Sequence, residues 1–118
     1  MRAIITGIAG QDGSYLAEIL IKKGYRVYGI TRHSSAPNYW RLGKLADNKN
    51  LVLLKGDVTD SHCMIGYIAA IKPDEFYHLA AQSHVGTSFT QPAMTWESIA
   101  NSTQNCLEAI RTVSPDTK

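Results

Sequence analysis

Short apolar runs and amphipathic stretches succeed one another along the chain, and the succession predicts strands and helices in turn. Residues 2–6 (RAIIT) form a β-rich run that stops at Gly7. From 14 to 23, Tyr15, Leu16, Ile19 and Leu20 recur at helical spacing, with Glu18, Lys22 and Lys23 on the other face. Gly24 follows as a C-terminal stop. Residues 26–31 (RVYGIT) read as a second strand, then a polar loop over 32–38 and a short helix over 39–45. The unbroken run LVLLK at 51–55 has the pattern of a strand buried on both faces. Asp60 or Ser61 is placed to cap a helix reaching Ile71, which Lys72, Pro73 and Asp74 close. Residues 75–79 (EFYHL) read as a fourth strand, and the small and polar residues over 80–88 as a loop. A long last helix is expected from about 92 to 111, with Trp96, Ile99, Ala100, Thr103, Leu107 and Ile110 as its apolar stripe.

The order βαβαβαβα specifies a parallel sheet, because parallel neighbours need a long return connection. The expected fold class is α/β: a Rossmann-like, doubly wound parallel sheet, cut off after four βα units. In such sheets ligands bind beyond the carboxyl ends of the strands, near the point where strand order reverses. The residues just after each strand therefore carry the functional reading.

Composition narrows the classes without choosing one. At 118 residues, 44% hydrophobic and 19% charged, the chain has the size and balance of one globular domain, taken as residues 1–118. A net charge of +2 is too small to argue for nucleic acid or an anionic membrane. No apolar run approaches the roughly 20 residues of a membrane span, and the run at 3–5 is far short of a signal-peptide core. Cys63 and Cys106 form no ligand-spaced cluster and read as reduced thiols, which points to the cytoplasm. The histidines at 33, 62, 78 and 84 lack metal-ligand spacing, so no metal is expected.

The chemistry begins after the first strand, with Gly7, Ile8, Ala9, Gly10, Gln11, Asp12 and Gly13. Glycines at 7, 10 and 13 permit a tight turn, close approach of a pyrophosphate and close packing of helix on sheet. The free amides and positive dipole end of the following helix would stabilise phosphate charge. A cofactor without a 2′-phosphate is usually held by an acid after the second strand. Between Glu18 and Asp47 the chain has none, and it carries Arg32, His33, Ser34 and Ser35 there instead. Arg32 can grip a phosphate with two N–H donors while the serine hydroxyls complete the shell, so NADP is expected over NAD. The competing reading is a solvated basic loop.

After the third strand, Asp57 can accept a hydrogen bond from an adenine amino group, or simply form a turn before a helix. After the fourth, Leu79, Ala80, Ala81, Gln82 and Ser83 follow in order. The two alanines leave room for a cofactor against the backbone, or serve close packing alone. Ser83 is a candidate to face a substrate, or a loop hydroxyl bonded to its own backbone.

The spacing G-x-x-G-x-x-G resembles the extended branch of the short-chain dehydrogenase/reductase superfamily. Gly-Gln-Asp-Gly-Ser-Tyr-Leu at 10–16, Arg-His-Ser-Ser at 32–35 and Tyr-His-Leu-Ala-Ala-Gln-Ser-His-Val at 77–85 narrow the resemblance to the N-terminal part of the GDP-mannose 4,6-dehydratase family. The resemblance implies a tightly held NADP that takes a hydride from C4 of GDP-mannose and returns it at C6, water being lost across C5 and C6 between those steps. It assigns Gly7, Ile8, Gly10, Gln11, Asp12 and Gly13 to the pyrophosphate side and Arg32, His33, Ser34 and Ser35 to the 2′-phosphate. It assigns Asp57 and Val58 to the adenine, and Leu79, Ala80, Ala81, Gln82 and Ser83 to the ribose and nicotinamide side. It further implies a homo-oligomer, dimer or tetramer, with the loop at 32–35 in tetramer contacts.

The chain departs from the family pattern in places. His33 stands where a second Arg is usual, which predicts a weaker, pH-dependent grip on phosphate. Met94 stands where a cofactor-contacting Tyr is common, and Ala100 and Ser102 occupy a region where the family has glycines. The superfamily's Tyr-x-x-x-Lys pair is absent, since Ile, Gly, Arg, Gly, Ile and Ala stand four places after Tyr15, Tyr25, Tyr28, Tyr39, Tyr67 and Tyr77. The expectation is a portion of such an enzyme without its catalytic residues, inactive alone. An NADP-dependent epimerase or reductase of sugar nucleotides and a non-catalytic NADP-binding module are the alternatives.

Overall fold

The computed structural model describes residues 1–34 and 39–118. Strands β1 (Arg2–Thr6), β2 (Arg26–Thr31), β3 (Leu51–Lys55) and β4 (Glu75–His78) form one sheet, paired in parallel in the order β3-β2-β1-β4. Strand order reverses between β1 and β4. The sheet's open edge carries Lys118, whose N–H donates to the Asp74 carbonyl while its own carbonyl accepts from Phe76 N–H.

Alternation along β1 sends its side chains to two separate cores. Ala3 and Ile5 pack with Val27, Leu51 and the helix α1 (Gln11–Lys22) through Ala17 and Leu20. Ile4 packs on the other face with Ile30, Val58 and two further helices, α2 (Ser61–Ile71) through Met64 and Ile68, and α5 (Ser102–Val113) through Cys106 and Ala109. The outcome is helix, sheet and helix in three layers. The Rossmann-like parallel sheet expected from the sequence is the fold observed.

Four boundaries differ from the expectation. Helix α1 starts at Gln11 rather than 14, because the extended Gly10 (φ −73°, ψ 174°) is its N-cap and its first turn, Gln11 to Ser14, holds no large apolar residue to signal it. The short helix over 39–45 is instead a turn followed by a 3-10 helix at Gly43–Asp47, since Gly43 at φ 48° cannot continue a right-handed helix. The loop over 80–88 contains a helix, α3 (Val85–Thr90), begun where His84 Nδ1 accepts Thr87 N–H at 3.2 Å. The long last helix is two, α4 (Pro92–Trp96) and α5, joined by a π turn at Glu97–Asn101.

That π turn also undoes the expected stripe. Ser102, Cys106 and Ala109 are the buried face of α5, while Trp96 (66%), Ile99 (43%) and Leu107 (63%) are exposed. A stripe drawn at 3.6 residues per turn loses its face where one turn takes more. Small residues face inward because α5 lies close against both α2 and the sheet.

Candidate functional site

At the carboxyl ends of β1 and β4, where strand order reverses, a cleft of about 970 Å³ opens. Its floor is built by glycine. Gly7 sits at φ 71°, and a Cβ there would lie 2.8 Å from Ala80 N and 2.9 Å from the Leu79 carbonyl. The first-strand loop and the fourth-strand loop thus touch backbone to backbone. Gly13 repeats the device inside α1, where a Cβ would lie 2.5 Å from the Gly7 carbonyl oxygen. The loop closes on itself through Gly10 N–H donating to the Gly7 carbonyl at 2.9 Å.

This packing delivers the N-terminus of α1 to the cleft. Gly10 offers no side-chain cap, so the first-turn amides have no intrahelical acceptor and face Gly10, Gln11, Asp12 and Gly13 of the cleft wall. Amide donors and the helix dipole together make that end attractive to an anion. Ile8, assigned to the same group from the sequence, has its side chain fully buried among Ala3, Ile5 and Ala17, under Gly29 of β2. Only its backbone remains for a ligand.

The other end of the cleft is cationic and polar. Arg32, Ser34, Tyr39, Asp57 and Val58 line it, and a smaller adjoining cavity of about 520 Å³ is lined by Arg32, His33, Lys55, Asp57 and Asp60. Ser35 lies outside the described residues. Lys55 was not singled out by the sequence. It is the last residue of β3, bonds its ammonium to the Tyr39 hydroxyl and lies over that ring, 4.8 Å from its centroid. Together with the Thr31 hydroxyl, Lys55 lowers the Tyr39 pKa from its usual value. Asp57 makes the turn that was its alternative role, its Oδ1 accepting from Thr59 N–H (2.9 Å) and Thr59 hydroxyl (2.8 Å). It still lines both cavities.

On the other side of β1 from Arg32, Leu79, Ala80, Ala81, Gln82 and Ser83 form the wall after β4. Gln82 braces it, its amide donating to the His84 carbonyl at 3.0 Å and to the Thr95 hydroxyl at 3.4 Å. Ser83 lines the cleft, with no bond from its hydroxyl to its own backbone. Met94, noted from the sequence as standing at a cofactor-contacting position of the family, also lines the cleft, as do Glu97 and Ser98, which the sequence did not mark. Their signal was hidden by the π turn, which brings Glu97 and Ser98 round to the cleft. Among the described residues no cluster of His, Cys, Asp or Glu could hold a metal ion.

A cleft with an arginine after β2, amide donors after β1 and small residues after β4 suits an elongated ligand with two phosphate groups. Residues 4–118 match the family model described as GDP-mannose 4,6 dehydratase. The chain belongs to the GDP-mannose 4,6-dehydratase family. It is 51% identical over 115 residues to GDP-mannose 4,6 dehydratase 2 of Caenorhabditis elegans, covering 92% of this chain and 30% of that protein. To the human GDP-mannose 4,6 dehydratase it is 47% identical over 116 residues, covering 93% and 31%. The chain therefore spans about a third of the length of these curated relatives. Among solved structures, the dTDP-glucose 4,6-dehydratase DesIV of Streptomyces venezuelae, with NAD bound, superposes with a TM-score of 0.80 at 26% identity, over 93% of this chain and 35% of that one.

Proposed function

We propose that the chain is the NADP-binding part of an enzyme that converts GDP-mannose to GDP-4-keto-6-deoxymannose with loss of water. The bound nicotinamide would supply the acceptor and donor of hydride in that reaction. The observation that carries the cofactor reading is the pairing of two anion-attracting features in one cleft. Uncapped amides of α1 stand after β1, and Arg32 stands after the neighbouring β2 with no carboxylate beside it in sequence.

In this reading the amides of Gln11, Asp12 and Gly13 bind the pyrophosphate, with the backbone of Gly7, Ile8 and Gly10 alongside. Arg32 and Ser34 hold the 2′-phosphate, with Ser35 joining them and His33 and Lys55 adding positive potential from the adjoining cavity. Val58 and Asp57 border the adenine. Ala80 and Ala81 give the ribose and nicotinamide room, flanked by Leu79 and Gln82, and Ser83 faces the sugar. No Tyr-x-x-x-Lys pair is among these 118 residues, so the proposal assigns cofactor binding, not proton transfer on the sugar, to this part. Family membership and the unpaired Cys63 and Cys106 support a cytoplasmic homo-oligomer as the setting.

A second reading, NAD as the cofactor, is favoured by the NAD held in the similar DesIV structure. Titration separates the two. The protein is expected to bind NADP at least about tenfold more tightly than NAD, the effect of one charge-assisted contact to the extra phosphate. Equal affinities, or a preference for NAD, would overturn the NADP reading. Product identification with GDP-mannose and the whole enzyme of which this chain is a part tests the dehydratase reading, and an epimerised or reduced sugar nucleotide would replace it.

A further inference from the structure

Beneath the cleft, hydrogen-bond bookkeeping fixes the state of one histidine. Thr6 is fully buried at the end of β1, and its Oγ1 accepts Leu79 N–H and Ala80 N–H, both at 3.1 Å. A hydroxyl has two acceptor sites and one hydrogen. With both sites filled, the hydrogen goes to the remaining neighbour, His78 Nδ1, 2.9 Å away. Nδ1 is then bare, and the neutral ring carries its hydrogen on Nε2, 3.2 Å from Ser102 Oγ. Ser102 in turn donates to the Ser98 carbonyl at 2.7 Å. The bonds run one way, from Thr6 through His78 and Ser102 to Ser98. Their two ends, Ala80 and Ser98, both line the cleft.

We propose that neutral His78, protonated on Nε2, is a positioning residue for the dinucleotide, and that its protonation weakens cofactor binding by releasing the wall after β4. The inference rests on the cleft being a dinucleotide site. An added hydrogen on Nδ1 would confront the Thr6 hydroxyl hydrogen. To turn away, Thr6 must give up one of its two amides, and with it the placement of Leu79 or Ala80.

Few groups compete for control of the ring. From α5, Cys106 Sγ lies 3.9 Å from Nδ1, and burial pushes that thiol up to about 11, so it stays neutral and can only donate to the bare nitrogen. From β1 the facing group is the Thr6 hydroxyl. On its own strand, Glu75 and Tyr77 alternate to the opposite face. Among the described residues no carboxylate or cation bonds to His78. Burial holds its pKa below the usual histidine value.

Two readouts test the inference on the intact protein. In the cofactor-free wild type, ¹⁵N imidazole spectra at neutral pH are expected to show His78 with Nε2 protonated and Nδ1 bare. A dominant Nδ1–H tautomer would overturn the network whether or not any dinucleotide binds. NADP titrations of wild type, H78A and H78N from about pH 8 to about pH 5.5 then test the positioning role across the histidine range. H78A is expected to lose about tenfold or more in affinity at neutral pH, having left buried partners unpaired. In H78N an amide oxygen stands where Nδ1 stood, and affinity should return to within about threefold of wild type, a difference below 1 kcal/mol. Towards acid, wild type should lose affinity relative to H78N. Every other group is the same in both proteins, so the difference belongs to His78. Parallel pH profiles for wild type and H78N, with NADP still bound, would overturn this inference alone. Failure of wild type to bind any dinucleotide would overturn the cofactor reading and the positioning role with it.

Discussion

The loop after β1 and the wall after β4 meet at one contact, Gly7 against Ala80, yet they are specified in different ways. The first is set by what its own backbone must do. Gly7 needs φ 71°, and Gly13 needs the space of a missing Cβ. The second is set by partners distant in sequence. Thr6 holds Leu79 and Ala80, Thr95 braces Gln82, and Ser102 reaches back to His78. A residue type can signal the first kind of requirement, but not the second.

Substitutions can separate the two. The largest effect is expected for Gly7→Ala, which combines left-handed strain with a backbone clash at 2.8 Å, about 3 kcal/mol in all by urea denaturation. Gly24 is the control. It also has positive φ (84°), but a Cβ there meets nothing within 4 Å, so Gly24→Ala should cost about 1 kcal/mol. Equal losses would show that the contact with Ala80 contributes nothing. Thr6→Val keeps the shape but strands the Ala80 amide and His78 Nδ1, while Leu79 N–H keeps only the Thr6 carbonyl at 3.3 Å, for an expected cost of about 2 kcal/mol. A neutral result would detach the second region from the first.

Arg32→Ala acts on the far end of the cleft. NADP affinity should fall about tenfold or more with NAD nearly unchanged, since only the 2′-phosphate loses its partner. A smaller effect follows pH. Because burial lowers the His78 pKa, the unfolded chain binds the proton more readily. Stability tied to His78 is therefore fully present above the ordinary value near 6.5 and is lost as pH falls through the folded value. Denaturation midpoints should drop across that window in wild type and less so in H78N. At the bottom of the scale, Arg111→Ala breaks an exposed pair with Glu108 on α5 and should leave the melting temperature unchanged within error.

The same contrast explains what the sequence made legible. The parallel sheet, all four strands and the glycine loop follow from period, run length and Gly placement, which are local signals. Arg32, Ser34, Asp57 and residues 79–83 came from their position after strands, and the structure brings them to one cleft. Lys55, Glu97 and Ser98 were missed because a lysine ending a strand and two residues inside an expected helix look ordinary until the π turn and the Tyr39 contact place them. The apolar stripe of the last helix was misread for a related reason. Hydropathy selects the largest side chains, whereas close packing of α5 on α2 selects the smallest, Ser102, Cys106 and Ala109.

The claim at the centre is that one phosphorylated dinucleotide reaches in this cleft from the α1 amides to Arg32. Amide and guanidinium ¹⁵N shifts followed during NADP addition test it most directly. The Gln11, Asp12 and Gly13 amides and the Arg32 side chain should move together along a single binding curve, with NAD leaving Arg32 nearly still. Movement at only one end, or at neither, would contradict the account.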